Sequence, residues 1–351
     1  MSTSVEAVET AAPPIFEAKN LHVRFEGRGR KGARKVVRAL DGIDLTWNRG
    51  EVLGVVGESG CGKSTLGRAL LGLQAPTEGT ISFEGKPLED ADMRALRRRV
   101  QMVFQDPYQS LSPRQTVGSL VQEPLAIHKL EKKGIDRIQR AVDALEAAGL
   151  EPAERYWNRY PHELSGGQRQ RVVIASAMVL EPEGLVCDEP VSALDVSVRA
   201  QVLKVLMELK EQKGLALIFI THDIGLAWAL CDRVVVMYLG RIVESGTTEE
   251  VIANPQHPYT RSLLSVVPTP FPRDDLQRVI LQGELPDASK VPPGCRFHPR
   301  CPQVFDRCSS DDPKVLLPII GDQTHGCACW LVDQPDGASA PPGSSPPVAG
   351  S

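Results

Sequence analysis

The stretch GESGCGKST, residues 57–65, limits what this chain can fold into more than any other. Gly57 to Ser64 fits G-x-x-x-x-G-K-[ST]; the apolar run EVLGVV comes before it and the apolar helical pattern LGRALLGL after it. A phosphate loop requires that strand–loop–helix setting. Its glycines let backbone N–H groups close round phosphate oxygens, while Lys63 reaches the β and γ phosphates and Ser64 offers a hydroxyl to Mg²⁺. The expected nucleotide contacts are therefore Gly57, Glu58, Ser59, Gly60, Cys61, Gly62, Lys63, Ser64 and Thr65. A glycine-rich turn that binds nothing is the bland alternative, and the flanking elements count against it.

The remaining pattern is that of an α/β chain. Short β-rich runs (NLHVRF, EVLGVVG, TISFEG, VQMVF) alternate with turns from Ile15 to about Phe104. Residues 105–165 then turn helical, as in RIQRAVDALEAAGL. Beyond them GGQRQRVVIASAMVL, GLVCD, SVRAQVLKVLMELKEQ and LALIFITH alternate helix with buried strand. Continuous apolar runs separated by helices predict a parallel sheet covered on both faces. The expected fold is a P-loop NTPase with a mostly parallel α/β core sheet, a β-rich N-terminal subdomain and an inserted helical subdomain. An ATP-binding domain over 15–256 is followed by a small irregular extension, 257–330, where proline becomes frequent. Residues 1–14 and 331–351, rich in Pro, Ser, Gly and Ala, read as disordered tails.

Three more strand ends carry chemistry. GLVCDEP supplies Asp188 for Mg²⁺ and then Glu189, which is placed to polarise an attacking water. A buried carboxylate pair is costly unless a cation or a reaction occupies it. His222 follows LALIFIT as a γ-phosphate contact, and Gln105 follows VQMVF as a sensor of Mg²⁺ or water. Doubly wound sheets bind ligands at such an edge. A helix N-cap or a structural histidine is the alternative at each position taken singly.

LSGGQRQR, residues 164–171, is a second serine–glycine turn leading into a helix. One loop encloses phosphates from one side only, and hydrolysis needs the other side closed. About sixty mostly helical residues separate this turn from Gln105. Action across a dimer, on a nucleotide held by another subunit, is the economical reading.

GESGCGKST, VFQDP, LSGGQRQR, LVCDEPVSALD and FITHD, in this order, resemble the ATP-binding subunits of ABC transporters. The resemblance implies that Ser165, Gly166, Gly167 and Gln168 form a nucleotide-binding turn in which Ser165 and Gly167 face the partner's γ-phosphate, with Asp195 at the dimer seam. It also implies an aromatic residue against adenine, a place that Phe25 matches, although the loop EGRGRKGARKVV after it is long and plain core is the alternative reading of Phe25. VFQDPYQSLSPRQTVG, GTTEEVIANPQHPYTRSLLSVVP and CRFHPRCP narrow the likeness to the oligopeptide/dipeptide importers, which include nickel importers, and to the second of their two ATPases. That likeness implies a heterodimer under two membrane permeases, fed by an extracytoplasmic binding protein. The chain would then be an ATPase at the cytoplasmic face of the membrane, supplying motion and not substrate choice. A soluble ABC ATPase of translation or repair is the rival, but translation-type members usually join two such units and repair-type members carry a coiled coil.

Composition fits this reading. A net charge of −4 argues against a nucleic-acid partner. No apolar run approaches the ~20 residues that cross a bilayer, and MSTSVEAVET lacks the regions of a signal peptide. Five of the eight cysteines crowd into the extension. Cys295, Cys301, Cys308 and Cys329 are separated by five, six and twenty residues, which is no C-x₂-C zinc ribbon. Surplus thiols, Zn²⁺ and a [4Fe–4S] cluster all remain open, and Cys₄ clusters accept varied spacings. Peptide importers with C-x-F-x-x-R-C-P and a later H-x-x-A-C, here His325 to Cys329, look like cluster binders, which leaves Cys327 as spare or as the alternative ligand.

Overall fold

A computed structural model describes residues 13–28, 34–130, 134–267, 283–313, 317–319 and 322–332. The expected tails, 1–14 and 331–351, lie outside them apart from residues 13–14 and 331–332.

An antiparallel sheet opens the chain, from β1 (Phe16–Arg28), β2 (Arg34–Trp47), β4 (Glu78–Phe83) and the short β5 (Lys86–Pro87) in the order β2-β1-β4-β5. β3 (Val52–Val56) and α1 (Lys63–Leu70) lie between β2 and β4 in sequence, and α2 (Met93–Arg99) leads into β6 (Val100–Val103). Five helices follow: α3 (Pro107–Ser110), α4 (Val117–Ile127), α5 (Gly134–Ala147), α6 (Glu154–Trp157) and α7 (Gly166–Met178). β7 (Gly184–Asp188), α8 (Val196–Lys213), β8 (Ala216–Thr221), α9 (Ile224–Leu230), β9 (Arg233–Tyr238) and β10 (Arg241–Thr247) complete the core. The chain continues through α10 (Thr248–Ala253), α11 (Pro258–Ser265), α12 (Asp306–Ser310), β11 (Leu317–Ile319) and β12 (Asp322–Cys327).

The second sheet runs β11-β12-β10-β9-β3-β8-β7-β6. Its middle, β9-β3-β8-β7-β6, is parallel. VLGVV, GLVCD and ALIFIT are buried along their whole length, as expected of strands covered on both faces. One apolar cluster joins α4, α5, α7 and α8 to one face, and the other joins the antiparallel sheet and α1 to the opposite face.

Two expectations need correcting. The stretch after Phe25 is not a long loop: β1 reaches Arg28 and β2 begins at Arg34, pairing Phe25 with Val37. Nor is the extension wholly irregular. β12 adds to the core sheet beside β10, with Glu244 opposite Cys327, and backbone pairing at an otherwise open edge explains its order. The extension is also welded on by charge. Arg296, 5% exposed, pairs with Asp41 of β2, and Arg241 bridges Asp41 at 3.5 Å and Asp312 at 2.5 Å. Buried Glu244 accepts from the backbone N–H of Gln256 and His257, and lies 2.8 Å from His325 Nε2.

Where the two sheets approach, Arg99 bonds both Glu84 and Glu183, and Arg49 bonds the same two carboxylates. Hydrogen bonds from Arg99 hold the Glu183 carboxyl down at about 2 and lower that of Glu84. These carboxylates add stability that is complete above their ordinary pKa of 4.5 and is lost as the pH falls toward about 2. Denaturant midpoints of the chain should therefore fall more steeply than those of Arg99→Met between pH 4.5 and about 2. Parallel curves would overturn this account.

Candidate functional site

α1 begins where the backbone turns through a left-handed residue. Gly62 has φ 110°, and a Cβ there would lie 2.3 Å from the Ala39 carbonyl oxygen. Only glycine fits, and the turn aims the first N–H groups of α1 at the loop's hollow. Lys63 is buried, its ammonium donating to the Gly57 and Glu58 carbonyls at 2.7 and 3.0 Å. Ser64 Oγ donates to Asp188 Oδ1 at 2.8 Å, although β8 lies between β3 and β7 in the sheet. Burial pushes the Asp188 carboxyl above its ordinary range, which a cation would relieve.

Glu189 sits at φ 46°, a strained conformation for a side-chain-bearing residue, and its N–H is tied to the Ile220 carbonyl at 3.0 Å. The bend brings its carboxylate to Gln105 and His222. Gln105 Nε2 donates to Glu189 Oε2 at 3.1 Å, and His222 Nδ1 lies 3.4 Å from the same oxygen. One pocket is lined by Ser59, Gly60, Gly62, Lys63, Ser64, Thr65, Gln105 and Glu189. Four separate stretches of sequence thus meet at the C-terminal edge of the parallel strands.

Other expected contacts lie elsewhere. The Cys61 side chain is 1% exposed in the apolar core, with its thiol pKa raised by burial, so only its backbone faces the loop. The Glu58 carboxylate turns away to Arg300. Phe25 is 42% exposed on β1, which excludes the plain-core reading, and it does not line the pocket. Its strand partner Val37 does, together with Ala39 and Ala288 of the extension. No local spacing in the sequence marks these three.

The second glycine turn is a helix cap. Ser165 Oγ accepts from the Gln168 N–H at 3.3 Å, and the Gln168 side chain accepts from the Ser165 N–H at 3.0 Å. A Cβ on Gly167 would meet Val198 Cγ1 at 2.3 Å, so this glycine permits α7 to pack on α8. Ser165, Gly166, Gly167 and Gln168 do not line the phosphate-loop pocket. Asp195 stands exposed before α8 and makes no side-chain cap bond to it.

Cys295, Cys301, Cys308 and Cys329 line a second, smaller cavity with His257 and Phe297. Burial raises the Cys295 thiol to about 11 and that of Cys301 to about 12, and raises Cys308 as well. Cys327 does not line the cavity; its hydrogen bond to Cys329 lowers the Cys329 pKa. His325 is bound to Glu244 instead. Among the described residues, no group of three His, Cys, Asp or Glu side chains is arranged to hold a single metal ion.

Comparison with known proteins places this arrangement. The ABC transporter family profile matches residues 40–192, and that of the oligopeptide/dipeptide transporter C-terminal region matches 243–308. A solved dimeric ATP-binding cassette, MJ0796, described as a post-hydrolysis state bound to ADP and Pi, is 30% identical with a TM-score of 0.59, covering 66% of this chain and 98% of its own. The chain is an ABC-transporter ATPase. The dipeptide transport ATP-binding protein DppF of Haemophilus influenzae is 48% identical over 301 residues, 85% of this chain and 90% of that protein. DppF of Escherichia coli is 44% identical over 329 residues, 93% of this chain and 96% of that protein. The chain therefore belongs to the ATP-binding subunits of the dipeptide/oligopeptide ABC importer family, on the DppF-like side of the pair, and its ATP hydrolysis energises import.

Gly62→Ala should destabilise the chain by roughly 1–3 kcal/mol, the usual cost of a left-handed non-glycine residue, because the obstructing atom is a backbone carbonyl. Urea denaturation checks this. An unchanged midpoint would show that the loop relaxes freely.

Proposed function

We propose that this chain binds Mg–ATP in the Ser59–Thr65 loop and hydrolyses it with Glu189 as general base, driving uptake of dipeptides or oligopeptides. The observation that carries the mechanism is the convergence of Gln105 and His222 on one oxygen of Glu189, at the pocket that holds Lys63 and Ser64. Lys63 releases the two loop carbonyls and offers its charge to the β and γ phosphates. Ser64, Asp188 and Gln105 would hold Mg²⁺, which when bound neutralises developing phosphate charge. Glu189 accepts the proton of the attacking water, while Gln105 and His222 orient its carboxylate. His222 then meets the γ-phosphate, and Phe25, exposed and paired with pocket-lining Val37, would have to approach from the pocket's rim to meet the adenine ring.

Ser165 is exposed at the start of α7, where the helix N-terminus favours an anion such as a partner's γ-phosphate, and Asp195 before α8 is exposed as well. The partner is a second ABC ATPase, and the pair works under two permeases supplied by an extracytoplasmic binding protein, on the cytoplasmic face of the membrane. No described helix is long and apolar enough to cross a bilayer. Peptide cargo is preferred to nickel because the relatives named for dipeptide transport match over most of the chain.

The four cysteines fit a [4Fe–4S] cluster. They stand round one cavity, and His257, 1% exposed on its wall, accepts from the Tyr259 N–H through Nδ1 and leaves a buried Nε2 with no hydrogen-bond partner among the described residues. That nitrogen suits a donor to sulfide or thiolate. Thiols whose pKa is raised by burial need metal charge to ionise there. Cys295, Cys301, Cys308 and Cys329 would hold the cluster, whose contribution when bound is to staple the extension.

Two outcomes test this reading. Glu189→Gln should cut ATPase turnover of the assembled complex by ~10²–10⁴-fold while ATP binding persists; undiminished single-turnover hydrolysis would sink the assignment. Chain purified without oxygen should be brown and hold about four irons. Colourless protein carrying one zinc, or neither metal after anaerobic reconstitution, rules the cluster out.

A further inference from the structure

The phosphate loop is gripped from outside by the cysteine-bearing extension. Arg300 Nη1 and Nη2 donate to Glu58 Oε2 and Oε1 at 2.7 and 3.0 Å, a two-pronged pair in which the Arg300 side chain is only 6% exposed. The guanidinium lies 6.0 Å from the Tyr238 ring centre, and Nη1 is 3.5 Å from the Tyr238 hydroxyl. From the other side, the Glu58 N–H donates to the hydroxyl of fully buried Tyr259 at 2.9 Å. Glu58 is thus fixed through both backbone and side chain by groups from beyond residue 237.

Resting on the ATP site read above, we propose that Arg300 is a positioning residue of the phosphate loop. It holds and neutralises the Glu58 carboxylate, so that polyphosphate meets a loop with no free negative charge. A carboxylate one residue past Gly57 opposes ATP electrostatically unless it is paired, and the planar fork of arginine both pairs it and fixes its direction. The support of Arg300 is itself short and stiff. It ends the turn His298–Arg300 between Cys295 and Cys301, where the His298 N–H reaches the Cys295 carbonyl and the Cys295 N–H reaches the Cys308 carbonyl. The segment that carries the cysteines therefore sets where Arg300 stands, and through it the charge of the loop.

The test is calorimetric affinity of the full-length chain for Mg–ATP, with Glu189→Gln as background to prevent turnover. Arg300→Ala should weaken binding about tenfold, the scale of one solvent-screened carboxylate near the phosphates. Arg300→Lys, which keeps the charge but loses the fork, should fall between the parent and Arg300→Ala. Adding Glu58→Gln to Arg300→Ala should restore most of the affinity, which a purely structural role for Arg300 would not do. Unchanged affinity in Arg300→Ala, or equal weakness of the single and double variants, overturns the inference while leaving the ATP site intact. Absence of Mg–ATP binding by the parent chain overturns both.

Discussion

Burial of β3, β7 and β8 on both faces leaves their backbones only neighbouring strands to bond, and the loops that carry Lys63, Glu189 and His222 follow from that constraint. Parallel pairing sends all the strands out at one edge. The phosphate loop, the Asp188–Glu189 pair and His222 need no further device to meet there. What the edge does require is local strain and close packing. The left-handed turn at Gly62 and the bend at Glu189 aim groups that regular extension would send elsewhere.

The two glycine turns are used in opposite ways. In the first, the loop's polar groups are satisfied within the chain: Lys63 bonds the loop carbonyls and Ser64 bonds Asp188. In the second, glycine serves packing, because only a residue without Cβ lets α7 approach Val198, and the helix cap stays at the surface. The first turn lines a pocket that stays open at Ser59, Gly60 and Gln105, whereas the second turn lies outside that pocket.

The extension is joined to the core by buried charge and by strand addition, not by apolar burial alone. Asp41 gathers Arg296 and Arg241, while Glu244 gathers His325 and the turn before α11. Breaking either would leave a buried charge unpaired, which costs far more than an exposed pair contributes. These links bring residues near 300 to within hydrogen-bond distance of residue 58, making the cysteine region structurally continuous with the nucleotide site.

The phosphate loop, the strand-end carboxylates and the serine–glycine turn were legible in the sequence because each depends on neighbours within about ten residues, where spacing is itself geometry. The cysteines were legible as a cluster by their crowding, and the importer resemblance pointed to Cys295, Cys301, Cys308 and Cys329 with Cys327 as the alternative. Their meeting at one cavity, with Cys327 left outside and His257 on the wall, depends on β12 pairing with β10 and on helix α11, neither of which their spacing encodes. The same holds for Val37, Ala39 and Ala288 at the pocket, and for the inward turn of Cys61. The grip of Arg300 on Glu58 spans 242 residues of chain. Contacts of that reach carry no local pattern, because shape complementarity between distant segments, and not the order of residues within either one, decides which side chains meet.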